Sequence, residues 1–268
     1  MTTGGGAPAD APDVPEPNAR IPRDARALAD RLGTELRALH RAIERWRTDG
    51  DTSAWPPPAE VELRTLYVQR ATRMLASEPG LARRTIAHLP RGLWFALERN
   101  AHASAVLFAF QAPVRNAEGF RTADPEPAGV LLRWFRKAER RFGVDWQLLA
   151  AVMLIETRFA RIVSRSVAGA SGPMQFLPST WQAYGLGGDV NDPRDAIMGA
   201  ANYLRASGAP TDERGALHAY NPVSAYVEAV STYADVMRRD PDEYYAYYNW
   251  QVFVRTVRGD VRITGPGR

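Results

Sequence analysis

The segment between Asp145 and Glu156 contains no charged residue and reads WQLLAAVMLI. Asp145 is a favourable N-cap for a helix here, because its side chain can accept hydrogen bonds from the free N–H groups of the first turn. A helix that runs on to Glu156 places this carboxylate among apolar neighbours at the negative end of the helix dipole. Burying an unpaired carboxylate is unfavourable. Glu156 is therefore either an accident of a helix end or an acid whose pKa is raised for general acid catalysis.

Helical periodicity over most of the remaining chain predicts a mainly α fold. In the first half, apolar residues recur every three or four positions, as in the series Leu28, Leu32, Leu36, Leu39, Ile43 and Trp46. Farther on, the segment NDPRDAIMGAANYL has the signature of a helix start, with Asp192 as the cap and Pro193 in the first helical position. Only the end of the chain changes period: WQVFVRTVRGDVRIT alternates and predicts a small C-terminal β-hairpin.

Composition and periodicity together divide the chain into four regions. Residues 1–22 are rich in Gly, Ala, Pro and Asp, which predicts a disordered tail. Residues 23–125 form a helical N-terminal region that ends in the loop RNAEGFRTADPEPAG. Residues 126–240 contain the apolar run and the motifs described below, and we interpret them as the catalytic domain. Residues 241–268 contain the hairpin and a tail.

The composition also limits the kinds of site that are possible. The chain has no cysteine, which excludes a thiolate nucleophile, a disulfide and a cysteine-ligated metal. Its four histidines, His40, His88, His102 and His218, lack metal-ligand spacing, so we expect no metal and no cofactor. The net charge of +4 comes from basic residues mixed with acids along amphipathic faces, which disfavours nucleic-acid binding. No apolar stretch reaches the ~20 residues that would predict a transmembrane segment.

Two segments beyond Glu156 offer groups that suit a sugar ligand. SVAGASGPMQFLPSTW contains a run of small residues that allows a backbone to approach a ligand closely. Its glycines do not indicate a phosphate-binding loop, because the required lysine and spacing are missing. HAYNP then supplies a tyrosine hydroxyl and an asparagine amide, which could bind sugar hydroxyl and N-acetyl groups.

With these three motifs in this order, the chain resembles the lysozyme-like lytic transglycosylases of the SLT type, which are related to goose-type lysozyme. The resemblance covers about residues 127–240. It rests on Glu156 with Thr157, on the loop Gly169–Gln175, and on the segment Ala219–Asn221. Thr157 is a departure, because a serine is common after the glutamate in that family.

The resemblance implies a lysozyme-like helical domain that cleaves the β-1,4 bond between N-acetylmuramic acid (MurNAc) and N-acetylglucosamine (GlcNAc) in peptidoglycan. Glu156 would act first as acid and then as base while a 1,6-anhydro ring closes on MurNAc, so that no second carboxylate is needed. The implied substrate-binding residues are Ser166, Gly172, Met174, Gln175, Tyr220 and Asn221. Among these, we expect Tyr220 to act on Glu156 most directly. Met174 is equally compatible with core packing, and Ser166 with stabilising a turn.

Two alternative functions remain open on the sequence alone. A muramidase on the same fold would cleave the same bond by adding water. A non-catalytic peptidoglycan-binding protein would fit the large additional N-terminal half and the lack of a basic, apolar export signal at the N terminus. In each case the expected partner is a peptidoglycan glycan strand. The expected location is the cell envelope or the extracellular space, although this chain contains no signal peptide.

Overall fold

The computed structural model describes residues 13–268, and this part of the chain forms eleven helices and one two-stranded antiparallel sheet. The helices are α1 (Ala25–Thr48), α2 (Ala59–Ser77), α3 (Pro79–His88), α4 (Arg91–Phe110), α5 (Ala128–Phe142), α6 (Trp146–Thr157), α7 (Pro178–Tyr184), α8 (Pro193–Ala206), α9 (Glu213–Tyr220), α10 (Ser224–Arg239) and α11 (Glu243–Tyr248). The strands are β1 (Phe253–Thr256) and β2 (Gly259–Arg262). The predicted mainly α fold with a small C-terminal hairpin is confirmed, and it is consistent with a lysozyme-like helical domain.

Helix α6 lies at the centre of the molecule, as its composition requires. A helix that is apolar on all sides must be surrounded by protein, and the side chains from Leu148 to Leu154 are fully buried. Helices α5, α8, α10 and α11 pack around it. No helix within residues 13–268 is both long enough and apolar enough to cross a membrane.

The first turn of α6 is stabilised differently from our prediction. Asp145 occupies the N-cap position, but its side chain makes no capping hydrogen bond. Instead, Arg238 Nε donates to Asp145 Oδ2 at 3.0 Å, and Trp146 N donates to Glu139 Oε1 at 3.2 Å. The predicted capping bond at Asp145 is therefore wrong, because an arginine from α10 competes for the carboxylate. At α8 the predicted cap is confirmed, since Asp192 accepts a hydrogen bond from the backbone of Asp195 at 2.9 Å.

The N-terminal helices share one hydrophobic core with the rest of the described chain. Helix α4 packs against both α2 and α10, while α1 packs on α2 and α3. Buried residues on both sides of the predicted boundary at residue 126 belong to one continuous cluster. Helix α4 thus connects the N-terminal region to the helices that surround α6.

Residues 13–22, which the composition assigns to a disordered tail, lie against α2; residues 1–12 fall outside the described residues. Arg70 Nη1 donates to the backbone carbonyls of Pro17 at 3.2 Å and Ala19 at 2.8 Å. Ala19 and Ile21 also pack on the core. A single arginine side chain therefore satisfies backbone carbonyls that composition alone predicts to be solvated.

Helix α11 is an element that the sequence pattern did not predict. Its residues Tyr244, Tyr247 and Tyr248 are completely buried. The Tyr244 ring lies 5.6 Å from the ring of Phe159, which follows α6 directly. The segment EYYAYY has no spacing of apolar and polar residues that predicts a helix. The burial of its tyrosines depends on aromatic rings from distant parts of the chain, such as Phe159.

The hairpin lies against the loop that follows α4. Within it, Phe253 pairs with Arg262 and Thr256 with Gly259. Val114 extends this pairing, because its N–H donates to Arg255 O at 2.9 Å and its carbonyl accepts from Val257 N at 3.0 Å. These bonds attach the N-terminal region to the hairpin beside the C-terminal end of α6.

Candidate active site

The backbone after Glu156 turns sharply, and local contacts hold the turn. Arg158, Phe159 and Ala160 have φ values of 53°, 57° and 68°, a left-handed conformation that is unfavourable for residues other than glycine. Thr157 Oγ1 donates to Pro173 O at 2.6 Å and accepts from Ala160 N at 3.0 Å. The Phe159 side chain is fully buried. Together these contacts fix the direction of the chain at the end of α6 and hence the position of Glu156.

The carboxyl group of Glu156 has a strongly altered acidity. Burial raises its pKa from the usual 4.5 to about 7, because the charged form loses hydration. The hydroxyl of Tyr226 faces the carboxylate and opposes part of this rise. Its geometry falls short of an ordinary hydrogen bond, since Tyr226 Oη has no hydrogen-bond partner within the described chain. At neutral pH a large fraction of Glu156 is therefore protonated and able to donate a proton.

Glu156 remains partly exposed, at the wall of a cavity of about 350 Å³. One side of this cavity comes from α6 and the turn after it. The rest of the lining comes from the loop after α4 and from the hairpin with the residue before it. The lining residues are Gln111, Ala112, Val114, Phe120, Ile155, Glu156, Arg158, Ile162, Val252, Phe253, Val254 and Arg255. Glu156 is the only carboxylate among them.

The small-residue loop packs behind the acid without lining this cavity. Gly172 has a φ of +77°, and a Cβ at this position would lie 1.9 Å from Val190 O, so only glycine fits without rearrangement. The Met174 side chain is completely buried, in agreement with core packing. Gln175, with a φ of 49°, folds back so that its Nε2 donates to Gly172 O at 3.1 Å. The loop is therefore held by its own hydrogen bonds and by close backbone packing.

Ser166 and Asn221 lie at other points near the loop and helix ends. Ser166 is exposed, and its Oγ accepts from Ala170 N at 3.0 Å, which stabilises the turn before the loop. Asn221 is partly exposed after the last residue of α9, and within residues 13–268 its side chain makes no hydrogen bond to protein. Neither side chain lines the cavity that contains Glu156.

Two tyrosines, Tyr220 and Tyr226, lie near Glu156, and the sequence pattern indicates only Tyr220. The Tyr220 hydroxyl donates to Met174 O at 2.6 Å, so it holds the loop rather than the acid. Burial raises the pKa of Tyr220 well above its ordinary value, and the Glu156 charge adds to this rise. Tyr226, on α10, faces Glu156 itself. In the sequence it resembles any core residue of an amphipathic helix, and no local signal distinguishes it.

Within residues 13–268, one cluster has donor atoms close enough to bind a metal ion. The ligand atoms of His40, Asp240 and Glu243 lie within 4.8 Å of one another. The interaction with Glu243 raises the pKa of His40 and outweighs the opposing effect of burial. His40 Nε2 lies 3.6 Å from Glu243 Oε1, within the range of an ion pair.

Comparison with known proteins gives a family match over the region that contains Glu156 and two curated relatives. Residues 133–236 match the family described as Transglycosylase SLT domain. Over 128 residues, or 45% of this chain, the sequence is 30% identical to the membrane-bound lytic murein transglycosylase F of Thiobacillus denitrificans. Over 139 residues, or 50% of this chain, it is 29% identical to the membrane-bound lytic murein transglycosylase F 1 of Alkalilimnicola ehrlichii. The matches cover 27% and 28% of these relatives. No solved structure gives a significant match.

Proposed function

We propose that this protein is a peptidoglycan lytic transglycosylase that cleaves the β-1,4 bond between MurNAc and GlcNAc, because residues 133–236 match the family described as Transglycosylase SLT domain. The observation that carries the proposal is Glu156, a carboxyl group with a pKa near 7 at the wall of an accessible cavity. The substrate is a peptidoglycan strand, and the proposed place of action is the cell envelope. The two relatives, described as membrane-bound murein transglycosylases, agree with that location.

In the proposed reaction, protonated Glu156 first donates its proton to the glycosidic oxygen. The bond from that oxygen to C1 of MurNAc breaks, and positive charge develops at C1 and the ring oxygen. The Glu156 carboxylate then takes the proton from the C6 hydroxyl of the same sugar, and the C6 oxygen bonds to C1. The product has a 1,6-anhydro ring, no water is consumed, and Glu156 ends protonated as it began.

The composition of the cavity favours this route over hydrolysis. Glycosidases that add water usually place a second carboxylate near the bond to activate that water or to act as nucleophile. The cavity has no second carboxylate within the described chain. A single group with a pKa near the working pH can both donate and accept a proton, which is what an intramolecular ring closure requires.

The remaining site residues have supporting roles in this proposal. Tyr226 is a positioning residue, because its hydroxyl faces the Glu156 carboxylate. Tyr220 holds the loop through the Met174 carbonyl. Gly172 and Gln175 shape the loop backbone, while Ser166 and Asn221 present polar groups to which a glycan strand could bind at the edge of the site.

Product analysis tests the proposal directly. Digestion of purified peptidoglycan by the wild-type protein should give anhydro-muropeptides, which mass spectrometry identifies because they are one water lighter than hydrolysed products. Products with only reducing ends would instead support the muramidase alternative. Wild-type protein that binds peptidoglycan without cleaving it would support the non-catalytic alternative.

Substitution of the acid tests its role. Glu156→Gln keeps the shape of the side chain but cannot transfer the proton, so we expect turnover to fall by at least about 10²-fold. Glu118→Gln is the matched control, because Glu118 is exposed on the loop after α4 and does not line the cavity. Unchanged turnover in Glu156→Gln would contradict the assignment.

A further inference from the structure

The cavity beside Glu156 carries positive charge that the protein itself does not neutralise. Arg158 and Arg255 both line it. Neither makes an ion pair with a carboxylate within residues 13–268. Arg158 Nη1 donates to the backbone carbonyl of Leu154. Arg255 Nη1 donates to the backbone carbonyls of Phe108 and Gln111. Burial raises the pKa of Glu156 to about 7, so at neutral pH this carboxyl compensates the two arginines only in part.

A third arginine, Arg73, lies beside the hairpin and packs on the same aromatic ring as Arg255. Arg73 is stacked between two rings, with its Cζ 4.8 Å from the centre of Phe108 and 4.7 Å from that of Phe253. The Arg255 Cζ also lies 4.8 Å from the Phe108 ring. Asp260 neutralises only Arg73, through a bond of 2.8 Å from Nε. The charge that no ion pair compensates at this cavity is therefore that of Arg158 and Arg255.

One wall of the cavity, including Arg255, comes from outside the region of the family match. Arg255 belongs to β1, and the facing loop after α4 includes Val114 and Phe120, whereas the family match covers residues 133–236. The backbone bonds of Val114 to Arg255 and Val257 hold that loop and the hairpin together. This wall is thus an addition to the domain that lines the same cavity as the acid.

We propose that this wall is a subsite for a carboxylate on the muramyl side of the substrate. The inference rests on the proposed function. The sugar rings of the glycan strand are uncharged, so only the muramyl substituent offers an anion to the arginines. The anion is either the lactyl carboxylate of a peptide-free MurNAc or a carboxylate of an attached stem peptide. The apolar side chains of Phe120, Ile162 and Val252 would pack on the aliphatic part of that substituent.

Three forms of one substrate separate the possibilities. Soluble glycan strands with stem peptides carry peptide carboxylates, the same strands after amidase treatment carry lactyl carboxylates, and methyl-esterified strands carry neither. For Arg255→Gln we expect KM to rise about tenfold on carboxylate-bearing strands with kcat retained, because charged hydrogen bonds are lost. On esterified strands the KM of Arg255→Gln should equal that of the wild type. Whichever of the first two forms shows the larger effect identifies the source of the carboxylate.

Two further variants exclude a merely structural effect. Arg255→Lys keeps the charge and should restore most of the affinity, while Arg258→Gln removes an exposed arginine at the hairpin turn and should leave KM unchanged. An equal rise of KM on esterified strands, or no rise on any strand, would overturn the subsite.

Binding measurements keep this test separate from the test of catalysis. Titration of Glu156→Gln protein, with and without Arg255→Gln, uses the same three strand preparations and needs no turnover. If the wild type cleaves none of them, the proposed function fails. In that case the subsite would still be supported if Arg255→Gln weakened binding only to strands with a free carboxylate. Equal affinity with and without Arg255→Gln on all three preparations would refute it.

Discussion

Replacing Glu156 by glutamine should make the fold more stable at the same time as it removes activity. A carboxyl group whose pKa is higher in the folded than in the unfolded state destabilises the fold as the pH rises. For Glu156 the loss begins above the unfolded value of 4.5 and is complete above the folded value of about 7. The rise in pKa corresponds to at most about 3 kcal/mol, since one pH unit equals about 1.36 kcal/mol.

The measurement is the free energy of unfolding by denaturant, at pH 5 and pH 8, for the wild type and for Glu156→Gln. The variant should be more stable by about 1 kcal/mol at pH 5 and by about 3 kcal/mol at pH 8. Glutamine does not ionise, so the difference arises from the wild-type carboxylate alone. Glu118→Gln, at an exposed position, should show no such pH-dependent gain.

Two results would refute this reasoning. If the advantage of Glu156→Gln were the same at pH 5 and pH 8, the carboxylate would not be desolvated in the folded state. If the variant were less stable at pH 8, the charged form would be stabilised by its surroundings, and Glu156 would be an unsuitable proton donor at neutral pH.

Three further substitutions have defined outcomes. Tyr226→Phe should raise the pKa of Glu156 and move the alkaline limb of the kcat/KM profile, expected near pH 7 in the wild type, upward by less than about one pH unit; a downward shift would contradict the contact. Gly172→Ala should lower the free energy of unfolding by at least about 2 kcal/mol, because of the positive φ and the clash with Val190 O; an unchanged thermal midpoint would be incompatible with this packing. Thr157→Val should cost about 1–2 kcal/mol in denaturant unfolding through the lost bond to Pro173 O, whereas Thr157→Ser should cost less; equal losses would show that the hydroxyl is unimportant.

Local patterns predicted those parts of the fold that depend on neighbouring residues. The apolar run of α6 was recognisable because an exposed helix carries a polar face, whereas Gln147 is the only polar residue between Asp145 and Glu156. The cap at Asp192 was recognisable because the residues that mark it, Asp192 and Pro193, are adjacent in the sequence. The cap at Asp145 was predicted incorrectly, since its competing partner Arg238 lies 93 residues farther along the chain.

The candidate site was predictable to the extent that it contains local anomalies. Glu156 stood out as an acid after an apolar run, and its raised pKa agrees with that interpretation. Tyr226 has no such anomaly, because an aromatic residue beside Val227 reads as ordinary core. The wall formed by Val114 and Arg255 was also missed, because no local pattern tells which loop will fold over which helix end.

The left-handed turn after Glu156 bears on attempts to transplant this acid into another protein. The turn depends on Phe159, whose ring is enclosed by Phe135 and by the tyrosines of α11, Tyr244 and Tyr248. Helix α11 lies beyond residue 236, where the family match ends. Excising residues 133–236 as a portable module would therefore leave an aromatic ring uncovered three positions after the acid. We expect the portable unit to need the C-terminal segment as well.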